Sequence, residues 1–186
     1  MKRLFFVTGQ PSIGKTTIVL KTVDALKTTG FKVGGMLSRE VREKGTRVGF
    51  ELIGLDTEKR GWLAHINQSE GPHVGKYRVN LRDLDNIGAG SIRTALTDAQ
   101  IVVVDEIGPM ELHSSAFKEA AVQAINSDKL VLGVIHQRAR DPLIDSLRKR
   151  DDVEILEATY ENRMTLHNLL IERITQFLTE KRELVK

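Results

Sequence analysis

The sequence has no cysteine, few aromatic residues and no long apolar run. Without cysteine, its 186 residues form neither disulfides nor thiolate metal sites. Its five scattered histidines show no zinc-ligand spacing. The N-terminal run LFFVTG is too short for a signal peptide or a membrane span, so we expect a cytoplasmic protein that does not bind a membrane. With a mild net charge of +3 and few aromatics among the basic residues, nucleic acid is not an expected partner.

Length and composition match those of one globular domain. The chain is long enough for a well-buried core but too short for two ordinary domains. Hydrophobic residues make up 40% and charged residues 28% of it, close to the globular average. We therefore predict a single domain that spans residues 1–186.

Alternating strands and helices predict a three-layer α/β domain with a mostly parallel sheet. A continuous apolar run, Leu4 to Thr8, is typical of a buried parallel strand, and a helix is expected from Lys15 to about Thr29. The most hydrophobic strand is centred on Ile101 to Val104. Further helices are predicted at about 114–126 and 141–149, around the strand LVLGVIH, and a strand near 153–157 precedes a last helix.

Residues from about 36 to 81 interrupt this alternation. The segments FKVGGMLSREV and TRVGFELIGLD flank a turn at Gly45, and KRGWLAHI and KYRVNL continue the strand pattern. They predict an antiparallel hairpin insert after the first helix. The helix expected next is interrupted or loosened near the GAG of residues 88–90.

The stretch GQPSIGKTT, residues 9–17, matches the phosphate-loop (P-loop, Walker A) pattern G-x-x-x-x-G-K-[ST]. It follows a predicted strand and opens a predicted helix, a setting in which backbone N–H groups face a phosphate. Ser12 stands where many such loops have another glycine, and a positive φ there would cost about 1 kcal/mol. The expected nucleotide-binding residues are Gly9, Gln10, Pro11, Ser12, Ile13, Gly14, Lys15, Thr16 and Thr17.

Each fixed position of the pattern has a distinct expected role. Gly9 and Gly14 let the backbone pass close to the phosphates. Lys15 is expected to reach the β- and γ-phosphates and to take part in catalysis. The hydroxyl of Thr16 is expected to ligate Mg²⁺, and Thr17 to bind the α-phosphate.

An acidic pair after the most hydrophobic strand supplies the partner (Walker B) that a phosphate loop needs. We expect Asp105 to bind the water shell of Mg²⁺ and Glu106 to orient and polarise the attacking water. Residues 105–108 also match the D-x-x-G signature of GTPases. Because the chain has no N-K-x-D or T-K-x-D segment to read guanine, the adjacent glutamate favours a catalytic carboxylate.

The segment after LVLGVIH adds three candidate residues near the γ-phosphate. His136 ends this strand. If the strand lies between the acidic strand and the strand before the phosphate loop, His136 is expected near the γ-phosphate. An imidazole that only caps the end of the strand is an equally good alternative. Arg138 and Arg140 follow on a loop, where either is a candidate arginine finger or a surface residue.

These motifs resemble a known family, the small nucleoside-triphosphatases of archaea, thermophilic bacteria and animals, which includes the human cancer-related nucleoside-triphosphatase. The resemblance rests on GQPSIGKTT, GFKVGGMLSREVREKGTRVGFELIGLDT, VVVDEIGPMEL and ATYENR. It implies a recombinase-A-like core with a hairpin insert, and hydrolysis of nucleoside triphosphates to diphosphate and phosphate. It also implies that Asn162 and Arg163, in the ENR segment, lie near the nucleotide.

The leading hypothesis is therefore Mg²⁺-dependent hydrolysis of ATP, GTP, CTP and UTP, because the hydrolytic centre is complete and no base-reading motif is present. One alternative is a kinase for a nucleotide or nucleic acid, with HQRARDPLIDSLRKR as a basic lid over the phosphates. Another is a slow nucleotide-dependent switch that presents the insert, including Trp62, to a protein partner of unknown identity.

Overall fold

A computed structural model describes residues 2–184 and arranges them around one nine-stranded sheet. The predicted limits of 1–186 also include residues 1, 185 and 186, which lie outside the described residues. The strands are β1 (Leu4–Gly9), β2 (Val33–Glu43), β3 (Thr46–Gly54), β4 (Arg60–His65), β5 (His73–Val74), β6 (Tyr77–Val79), β7 (Ile101–Ile107), β8 (Leu130–Ile135) and β9 (Val153–Ala158).

Six α-helices accompany these strands within residues 2–184. They are α1 (Lys15–Thr28), α2 (Leu81–Asp83), α3 (Gly90–Asp98), α4 (Ser115–Asn126), α5 (Pro142–Arg148) and α6 (Leu166–Leu184). A 3₁₀ turn, Glu111–His113, precedes α4. None of the helices in this described part of the chain is long and apolar enough to cross a membrane.

Five parallel strands, in the order β2-β7-β8-β1-β9, form the centre of the sheet. β8 lies between β7 and β1, as the placement of His136 required. Because the strands are parallel, the carboxyl ends of β1, β7 and β8 meet at one edge, where ligands bind in open α/β sheets. The fold class is confirmed as α/β with a mostly parallel sheet.

Side chains alternate between the two faces of the sheet and build two buried clusters. In β1, Leu4 and Phe6 join the cluster under α3, α4 and α5, whereas Phe5 and Val7 join the cluster under α1 and α6. All four side chains are at most 2% exposed. Because both faces of β1 are buried, its sequence is continuously apolar. The close packing on both faces holds β1 rigidly in place where the phosphate loop begins.

The predicted insert continues the same sheet. Residues 33–37 of β2 pair in parallel with β7, and residues 36–43 pair antiparallel with β3. The strands β3, β4, β6 and β5 then extend the sheet outward. β2 therefore belongs to the core and to the insert at once, which its side-chain pattern could not reveal because alternation does not identify a strand's neighbours.

The helix after the insert contains the expected irregularity. Residues from Leu84 to Ala89 form a π-helical turn between α2 and α3, which includes the first two residues of GAG. Leu84, the first residue of this turn, and Ile92, in α3, are both fully buried. The wider turn lets both apolar side chains face the sheet, and the predicted loosening is confirmed.

Candidate active site

The loop of residues 9–16 joins β1 to α1. β1 ends at Gly9, whose φ is +140°, and a Cβ there would lie 2.6 Å from the carbonyl oxygen of Ala158 in β9. Only glycine fits so close to a neighbouring backbone. Gly14, with φ +105°, is the N-cap of α1 and has no side chain to cap the helix. The first N–H groups of α1 therefore point into the loop, as a phosphate site requires.

Ser12 and Ile13 play different parts in this loop. The φ of Ser12 is +63°, in the left-handed region, at a cost of about 1 kcal/mol. Ser12 is exposed, whereas Ile13 is only 3% exposed and packs into the cluster under α1. Ile13 thus anchors the loop to the hydrophobic core. Gln10, Pro11 and Thr17 are exposed, and their contacts with a nucleotide stay a prediction.

The ammonium group of Lys15 turns back onto the loop. Its Nζ donates hydrogen bonds of 3.0 Å to the carbonyl oxygens of Gly9 and Gln10. Its charge opposes the rise that burial causes in the pKa values of Asp105 and Glu106 and, after burial, helps to lower the pKa of His136, so all three side chains lie within its electrostatic reach. The fold thus brings together the loop lysine and residues that lie about ninety and more positions further along the chain.

Asp105 is a fully buried carboxyl group beside Thr16. Neither carboxyl oxygen has a hydrogen-bond partner of standard geometry among residues 2–184. Burial, and after it the Glu106 carboxylate, raise the pKa of Asp105 to about 7, against the opposing effects of the Thr16 hydroxyl and the Lys15 charge. A buried carboxylate without partners is costly unless a cation or water completes it, so Asp105 has the character of a metal-site ligand.

We expect Asp105 to contribute stability that the ligand-free protein loses as the pH rises from about 4 to about 7. Asp105 ionises near 3.8 when unfolded and near 7 when folded, so the folded state favours the protonated form. The contribution of Asp105 to the free energy of unfolding is fully present below the unfolded-state pKa and is lost as the pH rises through the folded-state pKa. It amounts to on the order of 4 kcal/mol in all. Urea unfolding in EDTA at pH 5 and pH 8 would measure the difference.

Asp105→Asn should flatten this pH dependence, because asparagine does not ionise. The pKa shifts at Glu106 and Glu111 have the same sign as that at Asp105, and those at Glu40, Glu51 and Asp152 have the opposite sign, so the difference between the two slopes isolates the contribution of Asp105. Asp24→Asn, on the exposed side of α1, is the matched control and should keep the full slope. Equal slopes in the wild type and in Asp105→Asn would contradict the assignment.

Glu106 follows at a break in the sheet. The pairing of β7 with β8 is irregular between Val104 and Ile107, so neither acidic residue pairs regularly with β8, although Asp105 still pairs with Leu37 of β2. Gly108 is in close contact with the Glu106 side chain: a Cβ on Gly108 would lie 2.7 Å from Glu106 Oε1 and 3.2 Å from its Cγ. Burial raises the pKa of Glu106, and the charge of Lys15 opposes this.

A third carboxyl group, Glu111, was not predicted as part of the site. It is only 4% exposed. Burial and the Glu106 carboxylate raise its pKa well above the usual range, and the backbone N–H groups of Glu111 and Gly108 oppose this. The signal in the sequence was a glutamate between Met110 and Leu112, in an otherwise apolar segment. The raised pKa favours the neutral form of Glu111 beside Glu106.

His136 leaves β8 with a defined tautomer. Its Nδ1 accepts hydrogen bonds from the backbone N–H groups of Arg138 (3.2 Å) and Ala139 (3.0 Å). Burial and the charges of Lys15 and Arg138 lower its pKa. The neutral ring therefore carries its proton on Nε2 and can donate it in a hydrogen bond. Arg138 and Arg140 are exposed, and neither forms an ion pair with a described side chain.

The segment after β9 is a hydrogen-bonded turn beside the phosphate loop. Asn162 Oδ1 accepts from the N–H of Thr159 at 2.8 Å, and Asn162 Nδ2 donates to the carbonyl of Glu157 at 2.9 Å. The side chain of Asn162 is thus used to build the turn. The guanidinium of Arg163 lies 5.1 Å from the ring centroid of Tyr160. Contacts of Asn162 and Arg163 with a nucleotide stay a prediction.

Comparisons with known proteins extend the resemblance from motifs to the whole fold. The model of the NTPase family matches residues 4–171. The chain is 45% identical over 175 residues to nucleoside-triphosphatase THEP1 of Thermofilum pendens, covering 94% of this chain and 96% of that protein. The crystal structure of THEP1 from Aquifex aeolicus matches with a TM-score of 0.78 at 25% identity, covering 92% and 98% of the two chains. The solution structure of a human cancer-related nucleoside triphosphatase matches with a TM-score of 0.79 at 32% identity, covering 95% and 98%.

Proposed function

This chain belongs to the NTPase family and is a nucleoside-triphosphatase, and on that premise we propose that it hydrolyses ATP, GTP, CTP and UTP to diphosphate and phosphate with Mg²⁺. The observation that carries the proposal is the buried Asp105, whose carboxyl oxygens have no partner of standard geometry within residues 2–184, beside Thr16 and Lys15. A buried carboxylate in this position is better explained by the binding of a metal-bound triphosphate than by a role in the packing of the core.

Lys15 and the loop backbone bind the triphosphate. In the ligand-free loop, the ammonium is held by the carbonyls of Gly9 and Gln10. Phosphate oxygens can replace these carbonyls, because a charge-assisted bond to phosphate is stronger than one to a neutral carbonyl. The free N–H groups at the start of α1 bind the same phosphates.

Thr16 and Asp105 would hold the Mg²⁺ ion. The hydroxyl and the buried carboxylate are oxygen ligands, which Mg²⁺ prefers, and two protein groups suffice because this ion keeps several waters and binds substrate phosphates. When bound, Mg²⁺ neutralises charge that develops on the phosphates. Within residues 2–184 no group of three or more acidic or histidine side chains is placed to hold a metal alone, in keeping with a shared site.

Glu106 and His136 act on the reacting end of the triphosphate. Glu106 accepts a proton from the attacking water: burial raises its pKa and so makes the carboxylate a stronger base, while the positive charge of Lys15 opposes the shift and favours the ionised form. His136 donates its Nε2 proton in a hydrogen bond to a γ-phosphate oxygen, while its Nδ1 is held by the backbone. The exposed Arg138 and Arg140 are on the same loop and can approach the phosphates when a nucleotide binds.

Tolerance of all four bases is supported by the turn after β9. Asn162 has an amide that could read a base edge, but backbone groups bind its oxygen and its nitrogen. A cytoplasmic location and the lack of a nucleic-acid partner remain predictions from the cysteine-free, mildly charged sequence.

Phosphate release from the four triphosphates would test the proposal. With Mg²⁺, each should give phosphate and diphosphate in equal amounts. EDTA should reduce the rate on the order of a hundredfold or more, since the metal carries much of the charge stabilisation, and added Mg²⁺ should restore it. Release of little phosphate without an acceptor, together with strong labelling of a nucleotide acceptor, would instead indicate a kinase.

A further inference from the structure

An exposed tyrosine stands on the turn that follows β9. Tyr160 is 69% exposed, whereas Tyr77, the other tyrosine of the chain, is 5% exposed. Isolated exposed apolar side chains are common on protein surfaces and need no ligand. Three features of its setting nevertheless distinguish Tyr160: its place beside the loop, the rigidity of its turn, and the side chain stacked on its ring.

The place of Tyr160 corresponds to the nucleoside end of the substrate. In the proposed function Glu106 and His136 act on the γ-phosphate, which puts that end of the substrate on the side of β7 and β8, and β1 separates that side from β9. A triphosphate that crosses the loop therefore directs its nucleoside towards β9. Gly9 touches Ala158 at the end of β9. Tyr160 is two residues further on, within about 7 Å of Ala158 along the chain.

The turn that carries Tyr160 is fixed by side-chain and backbone hydrogen bonds. The Asn162 side chain binds the backbone of Glu157 and of Thr159, just before Tyr160, and the N–H of Arg163 donates to the carbonyl of Thr159 at 3.0 Å. Little backbone freedom has to be lost when a ligand binds such a turn. This lowers the entropic cost of the contact.

The ring of Tyr160 is held by Arg163. The guanidinium lies over one face, 5.1 Å from the ring centroid. This is a cation–π contact, and it limits the rotation of an otherwise exposed side chain. A flat ligand is thereby directed to the opposite face. The arrangement is that of an aromatic platform prepared for a stacked partner.

We propose that Tyr160, backed by Arg163, is the platform on which the base of the nucleotide stacks. The inference rests on the proposed function, which sets the direction of the triphosphate. Every base has a π-face, so stacking tolerates all four bases and yet favours the larger purines. Substrate affinity then has two separate sources: the loop binds the phosphates and Tyr160 binds the base.

Binding of diphosphates by isothermal titration calorimetry would test this, because it does not require hydrolysis. In the presence of Mg²⁺, Tyr160→Ala should raise the Kd for ADP and GDP about tenfold, as expected for the loss of one stacked base. The loss should be smaller for CDP and UDP, and the Kd for inorganic pyrophosphate should not change. Tyr160→Phe keeps the ring and should bind all ligands like the wild type.

Val122→Ala truncates an exposed apolar side chain on α4 and is the control for a general surface effect. Unchanged ADP binding in Tyr160→Ala, or an equal loss for pyrophosphate, would overturn the platform. If the wild type releases no phosphate from any triphosphate but Tyr160→Ala still weakens ADP binding selectively, the platform stands and the hydrolytic proposal fails.

Discussion

Glu106→Gln should lower the turnover of ATP on the order of a thousandfold while leaving the affinity for ADP near that of the wild type. Glutamine has nearly the same shape as glutamate but cannot accept a proton from water. The phosphates are bound by the loop and by Lys15, which the substitution does not touch. Steady-state phosphate release, with ADP binding measured in parallel, would separate the two effects.

Folding should not account for this loss. The Glu106 carboxylate raises the pKa of the buried Asp105, so its removal relieves a repulsion between like charges. The unfolding temperature of Glu106→Gln should therefore not fall. Glu172→Gln, on the exposed side of α6, is the matched control and should turn over at the wild-type rate. Unimpaired phosphate release by Glu106→Gln would remove Glu106 from its catalytic role.

Gly108→Ala should reduce turnover on the order of a hundredfold with little change in stability, because a small displacement of a catalytic group has a large kinetic effect. The added methyl group would lie 2.7 Å from Glu106 Oε1, closer than van der Waals contact allows. The carboxylate is the end of a flexible side chain, so it can move at small cost in folding free energy. It would then leave the position from which it acts on water.

A double mutant tests whether this loss passes through Glu106. Gly108→Ala added to Glu106→Gln should cost almost nothing more, because the group that it displaces is already inactive. Gly90→Ala is the control within α3, where a Cβ would meet no atom within 4 Å. It should keep wild-type turnover. Additive losses in the double mutant would mean that Gly108 acts on the reaction by another route.

Local segments of the site could be predicted from the sequence because short-range geometry determines them. The pattern from Gly9 to Thr16 fixes a strand end, a loop with positive φ angles and a helix start within a few residues. The acidic pair at the end of β7 is also local. The expected proximity of the phosphate loop and the acidic pair depended only on the order of three parallel strands. The alternation of strands and helices allows few such orders.

The remaining parts of the site depend on long-range packing. Glu111 is an ordinary helix-forming residue in the sequence, and only the tertiary fold buries it beside Glu106. The steric role of Gly108 likewise depends on the side chain that folds back over it. Tyr160 is the opposite case, since the sequence around it does not reveal that this tyrosine stays exposed. Burial and exposure of single residues are set by neighbours that are distant in the chain.

The strand β2 has a consequence for how the insert can move. Its first residues are fixed beside Asp105 through β7, and its last residues carry the hairpin with β3. Domain closure normally uses a few loop residues as a hinge, whereas β2 passes from its pairing with β7 to its pairing with β3 without a break, and Met36 and Leu37 pair with both strands. We therefore expect the insert to move together with the core sheet, because backbone hydrogen bonds join it through β2 to the acidic end of β7.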